Sequence, residues 1–324
     1  MRRRNFLQTG LIGLLGFFNF PGLRASLKDY PADIQRKPLP KRLLGRTGER
    51  LSIVGLGGVV YMNKEQKEVN QIIGESLDHG VNYFDVAPTY GNAEELLGPA
   101  LKAHRDRTFL ACKTQKRDQK GAEEELHQSL NRLQTDWIDL YQLHALTTLD
   151  EVYQALGKGG AVEAFLKAKK EGKIRYLGFS AHSSEAALKA MELFDFDTIL
   201  LPINYVCFFQ ARFGPSVVEK AKEKDMGILA IKSLARQPWP SKEMRKHWPR
   251  SWYQPILDPY ESYLALRFTL DQPVTSAIPP GDIRLYRRAL EMAHSYTPLN
   301  NREQRELKHL SQSLTPLFQL QSES

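Results

Sequence analysis

The chain has 324 residues, 42% of them hydrophobic, and a formal charge of +8. That is ample for a large core, and it permits either two domains or one α/β barrel of about 250 residues. Four of the 45 basic residues lie within positions 1–25, which hold no acid, so the remainder carries 41 basic against 37 acidic side chains. An excess so small and so dispersed makes no case for nucleic acid as a partner.

Residues 1–25 read as an export signal. Arg3-Arg4-Asn5-Phe6-Leu7 has the Arg-Arg-x-Phe-Leu pattern of a twin-arginine signal, and an uncharged apolar stretch follows from Gly10 to Phe20. The stretch is too short to span a bilayer comfortably as a helix. Cleavage after Ala25 is the expectation, with Leu23 an unusually large residue for that place; an uncleaved N-terminal membrane anchor is the alternative. The protein is thus expected to be exported, periplasmic, and a partner of the twin-arginine export machinery. Residues 26–40, with Pro31, Pro38 and Pro40, suit an extended linker, and 41–324 form the folded part.

From residue 42 the pattern becomes periodic. Gly45, Thr47 and Gly48 between apolar runs predict a β-hairpin over 42–54. Strand-like runs follow at 53–57, 82–87, 108–114, 139–146, 174–180, 198–204, 227–233 and 274–278. Helical periodicity fills the gaps at 65–77, 93–103, 121–133, 161–171, 184–194, 216–224, 260–270 and 285–293. The first helix puts Val69, Ile72, Ile73 and Leu77 on one face, and Asn92 with Glu95 predicts a capping box for the second. Eight strand–helix pairs make a (β/α)8 TIM barrel with an N-terminal β-hairpin and, over 300–319, a C-terminal helical extension. An open doubly wound sheet is the competing arrangement, though it would need fewer units.

In such a barrel, chemistry sits at the C-terminal ends of the strands. Asp85 and Tyr90 in NYFDVAPTYG, Lys113 in FLACKT and His144 in DLYQLH all fall at or just beyond such ends. Together they can protonate a carbonyl oxygen while hydride reaches its carbon. A free Tyr titrates near ~10, so an adjacent ammonium is needed to favour its phenolate. Lys113 would supply it, Asp85 would hold Lys113, and His144 would orient the carbonyl. Singly, each residue has a structural explanation: a loop cap, a rim aromatic, a snorkelling amine, a core imidazole. Their joint order at four strand ends is what carries the reading. His182 is expected to belong to the start of the next helix. Cys112, beside Lys113, should face a helix, and Cys207 lies beyond another strand, so no disulfide is expected.

The stretches LLGRTGERLSIVGLGG, NYFDVAPTYGNAEELLG, DLYQLH, IRYLGFS and GILAIKSLA resemble the aldo-keto reductase family over about 42–293. The resemblance implies the barrel, a small-molecule carbonyl substrate, a nicotinamide dinucleotide, and Asp85, Tyr90, Lys113 and His144 as the catalytic set. For the dinucleotide it implies Gly58, Ser180, Asn204, Lys232, Ser233, Leu234, Pro280 and Gly281, with Arg284 and Arg288 for a 2′-phosphate. Departures are Ala181 and Leu200, where the family tends to carry Asn and Gln, and Asp282, which would repel phosphate. NADP(H) is favoured over NAD(H). Tyr61 and the tryptophans Trp239, Trp248 and Trp252 of the loop 236–256 are expected to wall the substrate pocket. No metal site is expected. A non-catalytic barrel that binds a ligand or partner is the alternative function. A metal-dependent hydrolase using His144 and His182 would want a His-x-His or carboxylate on the first strand, which VGLGG lacks.

Overall fold

The computed structural model describes residues 37–320. The segment expected to be an export signal and most of the expected linker lie outside these residues. The chain opens with a hairpin, β1 (Lys41–Leu43) and β2 (Arg50–Ser52), turned by a short 3-10 segment at Gly45–Thr47. Gly48 takes φ of +81°, a left-handed conformation that glycine adopts without a Cβ clash.

Eight parallel strands follow: β3 (Leu56–Gly57), β4 (Tyr83–Asp85), β5 (Phe109–Thr114), β6 (Ile138–Leu146), β7 (Ile174–Ala181), β8 (Thr198–Pro202), β9 (Gly227–Ile231) and β12 (Ser276–Ile278). Each pairs with its neighbour in chain order, and a parallel bridge from Val54 to Ala277 joins the last strand to the first. The sheet is therefore a (β/α)8 barrel. Between β9 and β12, an antiparallel ribbon of β10 (Ala235–Pro238) and β11 (Tyr253–Pro255) carries the long loop.

The helices are α1 (Gln66–Asp78), α2 (Ala93–Leu101), α3 (Gln119–Leu133), α4 (Leu149–Leu156), α5 (Ala161–Lys170), α6 (Ser184–Leu193), α7 (Tyr205–Ala211), α8 (Pro215–Glu223), α9 (Lys242–Arg245), α10 (Pro259–Asp271), α11 (Ile283–His294) and α12 (Asn301–Ser311). Three of these, α4, α7 and the single turn α9, were not expected from periodicity. The start of α4 is nonetheless written in the chain, where Thr148 and Glu151 form a reciprocal capping box. The capping box expected at Asn92 does not form: its side-chain oxygen accepts from the Asn63 N–H at 2.8 Å and ties two βα loops together instead. The tail is helical only to Ser311, after which it runs back over the barrel, and Phe318 stacks between His182 and Phe213.

Strand alternation divides the side chains into two sets. Tyr83, Phe109, Ala111, Leu140, Leu200, Leu229 and Ile278 fill the barrel, and Leu44 and Leu51 of the hairpin plug its lower end. The opposite faces pack against the helices in one continuous outer core. The interior is crowded enough to require glycine: a Cβ on Gly55 would lie 2.4 Å from the Tyr83 ring, and one on Gly178 would lie 2.3 Å from Thr198 Oγ1. Cys112 and Cys207 are free and buried, on β5 and α7.

Candidate active site

The inward positions at the upper ends of β4, β5 and β6 are Asp85, Lys113 and His144. They open with Tyr90 into one cleft of about 250 Å³. Asp85 and Lys113 are 2% and 1% exposed, so their charges meet with little water between them. The Lys113 ammonium donates to Asp85 Oδ1 and, at 3.2 Å, to the Val86 carbonyl. From below, the Tyr83 hydroxyl donates to Asp85 Oδ2 at 3.1 Å. Tyr83 was missed in the sequence, although it stands two residues before Asp85 and period-2 alternation places it on the same face.

Lys113 Nζ lies 5.5 Å from the centroid of the Tyr90 ring, and the His144 ring meets that ring edge-on at 5.9 Å. Gly58 makes room for it: a Cβ there would sit 3.0 Å from Val86 Cγ2 and 3.2 Å from Tyr90 Cδ2. Burial raises the Tyr90 pKa, Lys113 pulls it down and Asp85 pushes it up, for a net shift upward. The sequence led us to expect a lowered value; in the protein itself desolvation outweighs the ammonium. Lys113 is penalised by burial, but Asp85 more than compensates and keeps it charged. Burial, then the nearby Lys113, brings the His144 pKa down to about 3, so the imidazole is neutral at physiological pH.

The backbone that carries His144 is unusual. Ala145 has φ of +56°, and the β6–β7 register shifts between Leu143 and Leu146. Arg117 Nη2 donates to the His144 carbonyl at 2.7 Å, while Ser180 Oγ accepts from the Ala145 N–H at 2.7 Å. One peptide plane is thus gripped from both sides. Ser180 lines the cleft and retains its own hydroxyl proton for a ligand.

Of the remaining expected residues, Lys232, Pro280, Gly281 and Trp252 line the cleft. Asn204, Ser233 and Leu234 are fully buried beneath it. Asn204 caps α7 through Oδ1, and its Nδ2 and the Ser233 hydroxyl have no partner. Tyr61 corrects an expectation: it is fully buried in the outer core rather than at the mouth. Trp239 also lies off the cleft wall, its indole N–H held by the Ser251 carbonyl at 2.9 Å. Trp248 lies under the Arg284 guanidinium, 4.0 Å from its ring centroid. Arg284 is further tied to Asp282, whose carboxylate also caps the first N–H groups of α11. Arg288 donates to the Leu257 carbonyl. The helix end and the arginines read as phosphate ligands therefore already have partners in the chain.

The structure also adds residues. His182 does not open a helix; it precedes the N-cap Ser183, and its ring lines the cleft beside Lys232. Arg250 crosses from the long loop and donates to the Val60 and Met62 carbonyls at 2.9 and 2.8 Å. No local pattern in the sequence signals that contact. Gly57 and Gly281 both line the cleft, and Cβ atoms there would come within 2.8 Å of Ile278 and 2.3 Å of Val59. Among the described residues, no three His, Cys, Asp or Glu side chains gather as a metal site would require.

A barrel with a buried Asp–Lys pair, a phenol and a neutral imidazole at adjoining strand ends is the arrangement of a carbonyl-reducing enzyme. The match to the aldo/keto reductase family model over residues 54–252 agrees with it. The chain belongs to that family and is an oxidoreductase of the aldo-keto reductase type. It is 28% identical to the aldo-keto reductase YhdN of Bacillus subtilis, covering 81% of this chain and 90% of that one. It is 37% identical over 155 residues to the oxidoreductase YqkF of the same organism, a stretch covering 44% of this chain and 48% of YqkF. Among solved structures it resembles the holo form of aldo-keto reductase AKR11C1 from Bacillus halodurans, with a TM-score of 0.68, 25% identity, and coverage of 86% of this chain and 98% of that one.

Proposed function

We propose that this protein reduces an aldehyde or ketone to an alcohol, reversibly, with Tyr90 as general acid. The observation that carries the reading is the buried Lys113–Asp85 pair set against the Tyr90 ring, with neutral His144 edge-on to the same ring. A nicotinamide dinucleotide supplies hydride when bound. Gly57, Ser180, Pro280 and Gly281 would hold it along the cleft.

Each protein residue then has one task. Tyr90 stays protonated at neutral pH because burial opposes its phenolate, so it has a proton to give. Lys113 stabilises the phenolate that forms as the proton leaves, and Asp85 keeps Lys113 charged and in place. His144, uncharged, offers a neutral hydrogen bond to the carbonyl and adds no charge that would compete with Lys113. This set of roles favours turnover over a non-catalytic barrel.

We infer further that NADP(H) is taken ahead of NAD(H). Arg284, Arg287 and Arg288 share one helical turn, and a 2′-phosphate would have to draw them from Asp282, Glu75 and the Leu257 carbonyl, which limits the margin. The N-terminal sequence supports export in the folded state through the twin-arginine machinery, with residues 41–324 as the enzyme.

The test is fluorescence titration with NADPH and NADH of the parent and a Tyr90→Phe variant, followed by carbonyl-dependent oxidation. Both proteins should bind dinucleotide alike, and the variant should lose about 100- to 10,000-fold in kcat. An active Tyr90→Phe variant, or a parent that binds neither dinucleotide, would remove the proposal.

A further inference from the structure

Asp85 is held from two sides, and only one of them belongs to the catalytic set. Lys113 takes Oδ1, whereas Oδ2 meets two neutral donors inside the barrel, the Tyr83 hydroxyl at 3.1 Å and the Gln142 amide at 3.5 Å. Both donors are fully buried, and neither lines the cleft. The Tyr83 ring is explained by packing. It meets Phe109 edge-on at 6.1 Å and lies against Gly55, where a Cβ would come within 2.4 Å of it. The hydroxyl is not so explained: a phenylalanine would fill the same space without burying a polar group in the barrel.

Gln142 points the same way. It stands level with Lys113 across the β5–β6 pairing, and its Oε1 is buried with no partner among the described residues. The amide forgoes a hydrogen bond at Oε1 to set its N–H against the carboxylate, since the reverse orientation would bring two acceptors together. Burial, and then the charge of Asp85, keep the Tyr83 hydroxyl protonated, so it retains a proton to donate. Both donors act on a charge that bears on Tyr90, because Asp85 opposes the Tyr90 phenolate while Lys113 favours it. A carboxylate whose second oxygen accepts neutral hydrogen bonds has its charge partly offset, and it opposes the phenolate less.

We infer that Tyr83, with weaker help from Gln142, is a positioning residue of the reaction: acting through Asp85, it fixes the carboxylate against Lys113 and eases proton release from Tyr90. The inference rests on the reductase reading above and deepens it.

Tyr83→Phe keeps the ring and removes the hydroxyl. It should lower kcat for carbonyl reduction about tenfold and leave dinucleotide affinity unchanged. It should also move the Tyr90 limb of the pH profile for alcohol oxidation up by about one unit, a tenfold change in proton release. In an Asp85→Asn background the same change should have little further effect, since the carboxylate it acts through is gone. Gln142→Met should shift the limb in the same direction by less, and it carries the test alone if Tyr83→Phe does not fold. A slower enzyme with an unmoved limb, or a loss that adds in full to that of Asp85→Asn, would overturn the inference by showing that the hydroxyl only supports the barrel. Phenolate absorbance gives a readout that needs no turnover. The Tyr90 titration, taken as the difference between each protein and its Tyr90→Phe counterpart, should move up in Tyr83→Phe. If the parent reduces no carbonyl, the reductase reading fails, and a Tyr90 titration insensitive to Tyr83→Phe then sinks the Tyr83 link separately.

Discussion

Arg117 shows how much of an active site can depend on a side chain that never reaches the cleft. Its guanidinium is buried, donates to the His144 carbonyl and Glu151, and leaves Nε and Nη1 without partners. A buried cation so placed is costly, and what it secures is the left-handed Ala145 peptide that aims His144. Arg117→Met should therefore lower kcat by about 10- to 100-fold, the range expected for one hydrogen bond from a charged donor, while dinucleotide affinity stays unchanged. Steady-state kinetics beside a fluorescence titration will decide; loss of dinucleotide binding alongside kcat would mean that the loop, not the imidazole, had moved. The four reactive residues were legible because each ends a strand in a recognisable segment. Arg117 was not, since its contact depends on a register shift between β6 and β7 that no local pattern announces.

The long loop between β9 and α10 poses the question at the scale of an element. Its ribbon pairs Gln237 with Gln254 and Pro238 with Tyr253, and Arg250 then fastens its far end to the Val60 and Met62 carbonyls. Both ends of the cleft rim are thus tied, one by strand pairing and one by a single side chain. The weaker tie is the one that can open. Arg250→Gln should raise hydrogen exchange across 239–252 while leaving β9 protected, and it should speed dinucleotide release by more than tenfold with a smaller change in the rate of hydride transfer. Stopped-flow release and exchange measured on the same variant would test this; unchanged release would show that Arg250 merely packs the rim. The tryptophans of the loop attracted notice in the sequence, yet only Trp252 reaches the cleft. Composition shows that a loop is aromatic, but the ribbon's pairing and bulge decide which ring faces inward.

Across the whole molecule, the barrel was readable because its signal is repeated: eight alternations of strand and helix period, each constrained by the next. The hairpin plug was equally readable, as apolar runs around a glycine turn. Helices α4, α7 and α9 were not, being short insertions outside that rhythm. The same closure governs how the protein should respond to acid. His144 and His182 lie on one wall of the cleft, with pKa values brought down to about 3 and about 4, first by burial and then by neighbouring cations. Unfolded, each would titrate near ~6.5. The folded state therefore keeps both neutral while the unfolded state takes up two protons as the pH falls through that value, so their contribution is fully present above about pH 6.5 and is lost below it. Glu151, Asp282 and Glu303, whose pKa values are lowered mainly by hydrogen bonds that outweigh burial, keep their contribution above the unfolded carboxylate range near ~4 and lose it, with the same sign, only below that range. Lys113, with its pKa raised, loses its contribution only at alkaline pH. The interval from pH 7 to pH 5 therefore belongs to the two imidazoles, and urea unfolding across it should lose on the order of 4 kcal/mol. His182→Phe keeps a ring against Phe318 and should remove about half of that dependence. A variant with the parent's full pH dependence would show that His182 is already protonated in the folded cleft.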